Sequence, residues 1–212
     1  MTFTYAYPHP AVATDIAVFT LRRGGLNVLL VERGAEPFRG AWALPGGFLQ
    51  PDEELDACAQ RELREETGVD TGLLLHFGNF SAPDRDPRER VISVAYLALL
   101  ASDELRLAAD TDAARAEWFR LDDLPPLAFD HAMILERALM ALAAEARRIQ
   151  PLFALLPPRF TLSQLQGAYE AVVGEEAEKR NFRKMVAGLG CVRETEDYVH
   201  GPHRPARLYE PA

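Results

Sequence analysis

Acidic side chains recur at helical spacing in the first half of the chain. Glu62 and Glu66 are four residues apart and Glu65 follows Glu62 by three, so a helix would carry three carboxylates on one face. Like charges placed this closely repel one another and favour a bound cation. Carboxylate oxygens suit Mg²⁺ or Mn²⁺, and Mg²⁺ usually completes its shell with water and phosphate oxygens. The pattern therefore predicts that metal-activated water attacks a phosphoanhydride, while a carboxylate accepts the proton.

An arginine accompanies these acids. Arg61 lies four residues before Glu65, so its guanidinium can hold one carboxylate while the others bind the ion. Two alternatives remain open: the helix could be a solvated surface laced with ion pairs, or the site could bind a ligand without turnover.

A single helix must position these groups. No Gly or Pro interrupts the stretch from Glu53 to Thr67, Asp52 could cap its start, and Gly68 stands where a helix should end. The turn Pro45-Gly46-Gly47 precedes it and frees backbone amides where phosphate oxygens could sit. The same glycines could equally be plain turn formers.

Strands surround this helix in the sequence. Residues 11–21, 26–33, 71–80 and 91–100 are apolar or β-branched runs that predict strands, and residues 118–124, WFRLDDL, predict one more. Residues 130–149 have apolar positions at helical spacing. The order indicates an α/β domain.

The loop of residues 81–90 is dense in charge. Arg85, Arg88 and Arg90 could clamp phosphates or a terminal ribose, because a guanidinium matches phosphate oxygens in a fork. Alternatively, the acids of the same loop, among them Asp86 and Glu89, could neutralise them locally.

Proline-rich residues 150–158 indicate a boundary between a first domain, residues 1–150, and a second, residues 151–212. The second reads as helix, turn, helix and hairpin, which is the order of a winged helix-turn-helix module. Its basic or amide side chains could contact double-stranded DNA. These are Lys179, Arg180, Asn181, Arg183 and Lys184 on the second helix, and Arg193, Arg204 and Arg207 on the hairpin. The alternative is a dimerisation appendage, since residues 151–212 carry eight basic and eight acidic residues.

Composition places the chain among globular proteins. It has 212 residues, 48% of them hydrophobic, and a formal charge of −9 that lies entirely in residues 1–150. Cys58 and Cys191 provide neither a disulfide framework nor a zinc-site spacing, which favours a reducing cytoplasm. We find no secretory leader or membrane-spanning run and expect a soluble intracellular protein.

The window Gly47–Val69, GFLQPDEELDACAQRELREETGV, resembles the Nudix box at every one of its fixed positions. Residues 1–150 resemble a Nudix domain throughout, with segments such as PFRGAWALPGGF and LAFDHAMIL similar to those of Nudix proteins that act on or sense ADP-ribose. Residues 151–212 resemble the C-terminal winged helix of Nudix-related transcriptional regulators. The resemblance implies an α/β/α sandwich with a mixed sheet, followed by a small winged domain, and a homodimer.

The resemblance also implies roles for residues. Glu62, Glu65 and Glu66 would be metal ligands, one of them doubling as base, while Arg61 and Glu53 orient them. Substrate would contact Gly46, Gly47, Arg85 and Arg90. A fourth acidic ligand could come from Glu89, Glu104, Asp110 or Asp112.

Two classes of function follow. The first is a Mg²⁺-dependent pyrophosphohydrolase that cuts a nucleoside diphosphate linked to another moiety, with ADP-ribose as the leading substrate. The second is a transcriptional regulator that responds to ADP-ribose or a sugar phosphate with little or no hydrolysis. The complete Nudix box favours the first and the basic second helix favours the second.

Overall fold

The computed structural model describes residues 4–22, 24–71, 74–101, 113–200 and 205–212. Its main sheet has seven strands. They are β1 (Ala11–Arg22), β2 (Gly25–Arg33), β3 (Trp42–Ala43), β4 (Gly46–Phe48), β5 (Leu75–Phe80), β6 (Val91–Leu100) and β7 (Ala113–Arg120). Two helices accompany the sheet, α1 (Leu55–Thr67) and α2 (His131–Ala146).

Strand β1 is central to the sheet and gives it its mixed character. It pairs in parallel with β6 along ten residues and antiparallel with β2 and β4. Strands β5, β3 and β7 extend the sheet by antiparallel pairing with β6 or β2. The short β4 thus lies directly beside β1, immediately before the chain enters α1.

Alternating side chains of β1 build two apolar layers. Ala17 and Phe19 belong to a cluster that includes the buried face of α2, whereas Ile16 and Val18 belong to another that includes Leu63 of α1. This alternation follows from the two-residue period of a strand. The predicted α/β/α sandwich with a mixed sheet is confirmed.

The C-terminal part contains a 3-10 helix (Gln150–Leu155), α3 (Leu162–Val173), α4 (Lys179–Leu189) and the antiparallel pair β8 (Val192–Val199) and β9 (Ala206–Pro211). Thr161 caps α3, since its hydroxyl accepts the Gln164 N–H while the Gln164 side chain accepts the Thr161 N–H. The predicted order of helix, turn, helix and hairpin is confirmed.

One apolar cluster joins the sheet to this C-terminal part. It runs from Phe19 of β1 through Leu142 of α2 and Leu152 to Leu165 of α3 and Phe182 of α4, all of them buried. Helices α2 and α3 also contact each other directly. Within the described residues, no helix combines the length and the apolar character needed to cross a bilayer.

Three predicted boundaries were wrong. Helix α1 begins at Leu55 with Glu54 as N-cap, and the expected Asp52 cap is not used, because Gln50 and Glu53 close a turn ahead of the helix. Strand β7 starts and ends earlier than the predicted strand of residues 118–124, and a turn follows Arg120. Helix α2 ends at Ala146 rather than near residue 149.

Candidate active site and candidate DNA-binding helix

Helix α1 holds the acidic side chains against the strands that precede it. Cys58, Ala59 and Leu63 are buried, and they fix the orientation of the helix on the sheet. The helix ends at Gly68, whose φ of 70° is left-handed and whose N–H donates to the Arg64 carbonyl oxygen. Gly68 thus takes the helix-ending position that the sequence predicted.

Arg61 is the centre of an ion-pair network. Its Nε and Nη2 donate to the two oxygens of Glu53, at 2.8 and 2.9 Å. Its Nη1 donates to Glu62 at 2.6 Å and to Glu65 at 3.2 Å. Arg61 therefore contacts three of the predicted site carboxylates and positions them relative to one another.

Two glycines of β4 lie against the remaining acids. The Gly46 N–H donates to Glu66 Oε2 at 2.9 Å. A Cβ on Gly46 would come within 2.0 Å of the Thr14 carbonyl oxygen, and a Cβ on Gly47 would come within 2.4 Å of the Glu62 carboxylate. Position 46 needs glycine because β4 passes so close to the β1 backbone, whereas a side chain at position 47 would displace the Glu62 carboxylate.

Burial and charge set unequal protonation of the carboxyl groups. Hydrogen bonds from Arg61 lower the pKa of Glu53 to about 2. Burial raises the pKa of Glu62, although Arg61 opposes that shift. Burial raises the pKa of Glu66 to about 8, against the Gly46 hydrogen bond, and the nearby charges of Glu62 and Asp15 raise it further. The site thus contains carboxyl groups that would ionise more readily beside a cation.

The donor set fits a hard divalent cation. Glu62, Glu65 and Glu66 supply carboxylate oxygens, which are the ligands that such cations prefer. Among the described residues, no three acidic, histidine or cysteine side chains already converge closely enough to enclose an ion. The reason is visible in the contacts: Arg61 holds Glu62 and Glu65, while Glu66 turns to the Gly46 amide.

A cleft opens beside Glu66, and a buried polar network lines it. Asp15 of β1 accepts hydrogen bonds from Ser93 at 2.5 Å and from Arg85 at 3.2 Å. Arg85 also binds both oxygens of Asp130, at 3.0 and 2.7 Å. This network ties the charged loop to β1 and to the start of α2.

His131 completes the network as a neutral ring. Its Nδ1 accepts the Leu44 N–H at 2.9 Å, which leaves Nε2 to face Asp15 at 3.4 Å. Burial lowers the pKa of His131, in agreement with the neutral form of the ring.

The cleft also contains residues that sequence reasoning did not identify as site residues. Arg33 at the end of β2 and Phe129 before α2 are such residues, and they line it together with Arg88 of the charged loop, one of the predicted phosphate clamps. The guanidinium carbon of Arg33 lies 4.6 Å from the centre of the Phe129 ring, and that of Arg88 lies 5.7 Å from it. A lone arginine at the end of an apolar strand gives no sequence signal, since only the fold brings these groups together.

The other predicted positions are dispersed. Arg85 lines the cleft, whereas Arg90 lies outside its lining and donates to the Ala82 and Val91 carbonyl oxygens. Glu89 is exposed. Glu104, Asp110 and Asp112 lie outside the described residues.

Helix α4 presents a basic surface. All five of its predicted contact residues are exposed: Lys179, Arg180, Asn181, Arg183 and Lys184. Within the described part of the chain, none of the four cations among them forms an ion pair. The hairpin differs, because Arg193 pairs with Glu210 and Arg207 pairs with Glu194. Arg204 lies outside the described residues.

Comparison with known proteins gives two family matches. Residues 10–138 match the NUDIX domain, and residues 152–210 match the NrtR DNA-binding winged helix domain. The ADPR responsive transcriptional repressor NtrR of Acinetobacter baylyi is 37% identical over 96% of this chain and 82% of its own length. The ADP-ribose pyrophosphatase of Methanocaldococcus jannaschii is 42% identical over 61% of this chain and 73% of its own length. The crystal structure of Shewanella oneidensis NrtR complexed with a 27mer DNA superposes with a TM-score of 0.84 at 32% identity, covering 95% of this chain and 93% of that one.

Proposed function

Because this chain belongs to the NUDIX family, we propose that it is a Mg²⁺-dependent pyrophosphohydrolase that cleaves a nucleoside diphosphate linked to another moiety, with ADP-ribose as the substrate. The observation that carries the proposal is the position of α1. Its Glu66 carboxylate lines the cleft, fixed by the Gly46 amide, and Arg33 and Arg88 line the same cleft. Acidic and basic groups that face one space suit a cation together with a phosphate ester.

The residues of α1 divide the work. Glu62, Glu65 and Glu66 would hold Mg²⁺, or Mn²⁺ in its place, and Arg61 with Glu53 keeps Glu62 and Glu65 in position. A bound divalent cation supplies charge neutralisation at the phosphates and an acidified water. One of the α1 carboxylates accepts the proton from that water.

The cleft would bind the substrate. Gly46 and Gly47 line the cleft and bring the β4 backbone next to the acids, so that phosphates bound there would lie beside the carboxylates. Arg85 contributes by fixing the cleft wall through Asp15 and Asp130. Arg90 would reach the distal part of a ligand only from beyond this lining.

A second function, ligand-responsive DNA binding, is favoured by α4. Its exposed cations are free of ion pairs among the described residues, so they can neutralise DNA phosphates. The relative from Acinetobacter baylyi is named as an ADPR-responsive repressor, and it matches nearly the whole chain. We therefore propose that ADP-ribose in the cleft alters DNA binding, and that hydrolysis removes the signal.

The wider organisation follows from the same premise. We propose a Nudix domain of residues 1–150, a winged helix domain of residues 151–212, a homodimer, and a cytoplasmic location. In this arrangement α4 is the recognition helix, and the hairpin with Arg204 and Arg207 is the wing.

A turnover screen with Mg²⁺ tests the enzymatic proposal. The substrates are ADP-ribose, NADH, nucleoside triphosphates and sugar nucleotides, and released phosphate compounds are measured. We expect AMP from ADP-ribose, and we expect the Glu66→Gln variant to lose turnover while it retains DNA binding. The matched control is Glu145→Gln at the exposed end of α2. Equal AMP release by Glu66→Gln and the wild type would contradict the role of Glu66, whereas DNA retention without any turnover would leave only the regulator.

A further inference from the structure

Three arginines line the cleft, but their charges are not equally available. Arg85 is buried and shares its charge between two carboxylates, Asp15 and Asp130. Arg88 is paired with Asp86 through two hydrogen bonds of 3.0 and 2.7 Å. These two guanidinium groups are therefore neutralised by the protein itself.

Arg33 differs from both. Its Nε donates to the Pro37 carbonyl oxygen at 2.9 Å, and it forms no ion pair with any acidic side chain that the structure describes. Burial and the neighbouring charge of Arg88 lower its pKa, against the opposing charges of Asp86, Glu66 and Glu36. A fixed, partly buried positive charge beside a second arginine is a site for an anion.

Aromatic packing fixes the direction of Arg33. The Phe129 ring lies under its guanidinium at 4.6 Å, and Phe38 packs edge-on against Phe129 at 4.7 Å. Both phenylalanines have left-handed backbones, with φ of 53° at Phe129 and 63° at Phe38. Residues other than glycine rarely adopt this backbone conformation, and they keep it only where the surrounding structure imposes it. The stacked face of the guanidinium is covered, and the N–H edge remains available to a ligand.

We propose that Arg33 is the residue that binds a phosphate of the ligand in this cleft, and that it makes the site selective for phosphate esters. This inference rests on the proposed function, because it assigns a ligand group to the same cleft. Arg33 donates hydrogen bonds to the phosphate, while Arg85 is a positioning residue that fixes the cleft wall through Asp15 and Asp130. Arg88 is held beside Phe48 and Phe129 by Asp86 and completes the wall.

Calorimetric titration of the full-length protein tests the assignment. The probes are ADP-ribose and ADP, in buffer with EDTA so that hydrolysis does not interfere. Arg33→Met keeps an apolar stem against Phe129 but removes the charge, and Arg33→Lys keeps the charge. Arg148→Met is the control, since Arg148 is exposed just beyond the end of α2 and its one ion pair among the described residues is with Glu145.

We expect Arg33→Met to weaken binding by roughly 10- to 100-fold, which is the range for a lost charge-assisted hydrogen bond. Arg33→Lys should recover part of that loss, and Arg148→Met should bind within about threefold of the wild type. The affinity of Arg33→Met should also respond less to added KCl, because a purely structural role for Arg33 would leave the salt dependence unchanged.

The outcomes separate the two proposals. If the wild type binds ADP but not ADP-ribose, the proposed substrate fails, and the assignment of Arg33 is decided by the ADP titrations. Binding of either probe by Arg33→Met at wild-type affinity, or with undiminished salt dependence, would overturn the assignment. Absence of binding of both phosphate compounds by the wild type would overturn it as well.

Discussion

Replacement of Glu66 by Gln should stabilise the metal-free protein. The Glu66 carboxyl has its pKa raised from 4.5 to about 8, chiefly by burial. The folded state therefore binds a proton that the unfolded state has released, so the stability that this group contributes is complete below pH 4.5 and is lost as the pH rises towards 8. Gln keeps an oxygen that can accept the Gly46 N–H and carries no charge.

The size of the effect follows from proton linkage. Integration between the two pKa values shows that Glu66 lowers the free energy of unfolding of the wild type by about 3 kcal/mol at pH 7 and by about 1 kcal/mol at pH 5. Water entering the open side of the cleft reduces the cost, so we expect Glu66→Gln to raise the free energy of unfolding by about 2 to 3 kcal/mol at pH 7.

Urea unfolding in EDTA at both pH values measures the difference between variant and wild type. The control is Glu65→Gln on the same helix, whose side chain is 49% exposed; it should change the free energy of unfolding by less than about 0.5 kcal/mol. Millimolar Mg²⁺ should narrow the gap between Glu66→Gln and wild type, because the ionised carboxylate then gains a partner. A Glu66→Gln variant that is less stable than wild type at pH 7, or an advantage that does not shrink at pH 5, would refute the reasoning.

Three further perturbations test other parts of the site. Gly47→Ala should lower the turnover of ADP-ribose by roughly 100-fold with little effect on folding, because the new methyl group displaces the Glu62 carboxylate; steady-state kinetics and circular dichroism measure the two. Arg85→Leu should lower the free energy of unfolding by about 3 to 5 kcal/mol, since it leaves buried carboxylates without a partner; urea unfolding measures it. The double change Arg180→Gln and Arg183→Gln should weaken DNA binding across sequences and reduce the slope of log affinity against log salt by about 2, as measured by fluorescence anisotropy.

Each of these has a control and a contrary result. Ala substituted at Gly167, where a Cβ meets nothing within 4 Å, should leave turnover intact. Arg148→Leu should hardly alter stability, and a loss for Arg85→Leu no greater than that would contradict the charge argument. Arg193→Gln removes a hairpin cation that is already paired with Glu210; an equal effect of this change on DNA binding would remove the special role of α4.

Local signals in the sequence were sufficient for much of the fold. Strand β6 coincides with the apolar run of residues 91–100, and α1 ends at Gly68, because strand burial and helix caps depend on neighbouring residues. The ion pair between Arg61 and Glu65 also followed from helical spacing alone.

Features that depend on distant contacts could not be predicted. The start of α1 shifted because the turn formed by Gln50 and Glu53 precedes the helix. The Arg33 and Phe129 stack joins residues almost a hundred positions apart and depends on a left-handed backbone at Phe129, a conformation that Phe rarely adopts. The three carboxylates were expected to face an ion together, yet Arg61 holds two of them, Glu62 and Glu65.

The shared apolar cluster bears on how ligand binding in the cleft could affect the DNA-binding helices. Leu142 of α2 and Leu165 of α3 belong to one close-packed apolar cluster, so the helix that borders the ligand cleft packs directly against the DNA-binding segment. Close-packed interiors transmit displacement instead of absorbing it. Asp130, which Arg85 grips at the cleft, is also the residue from which α2 starts. A small displacement of Asp130 would therefore move α2, and α2 would transmit that displacement to α3.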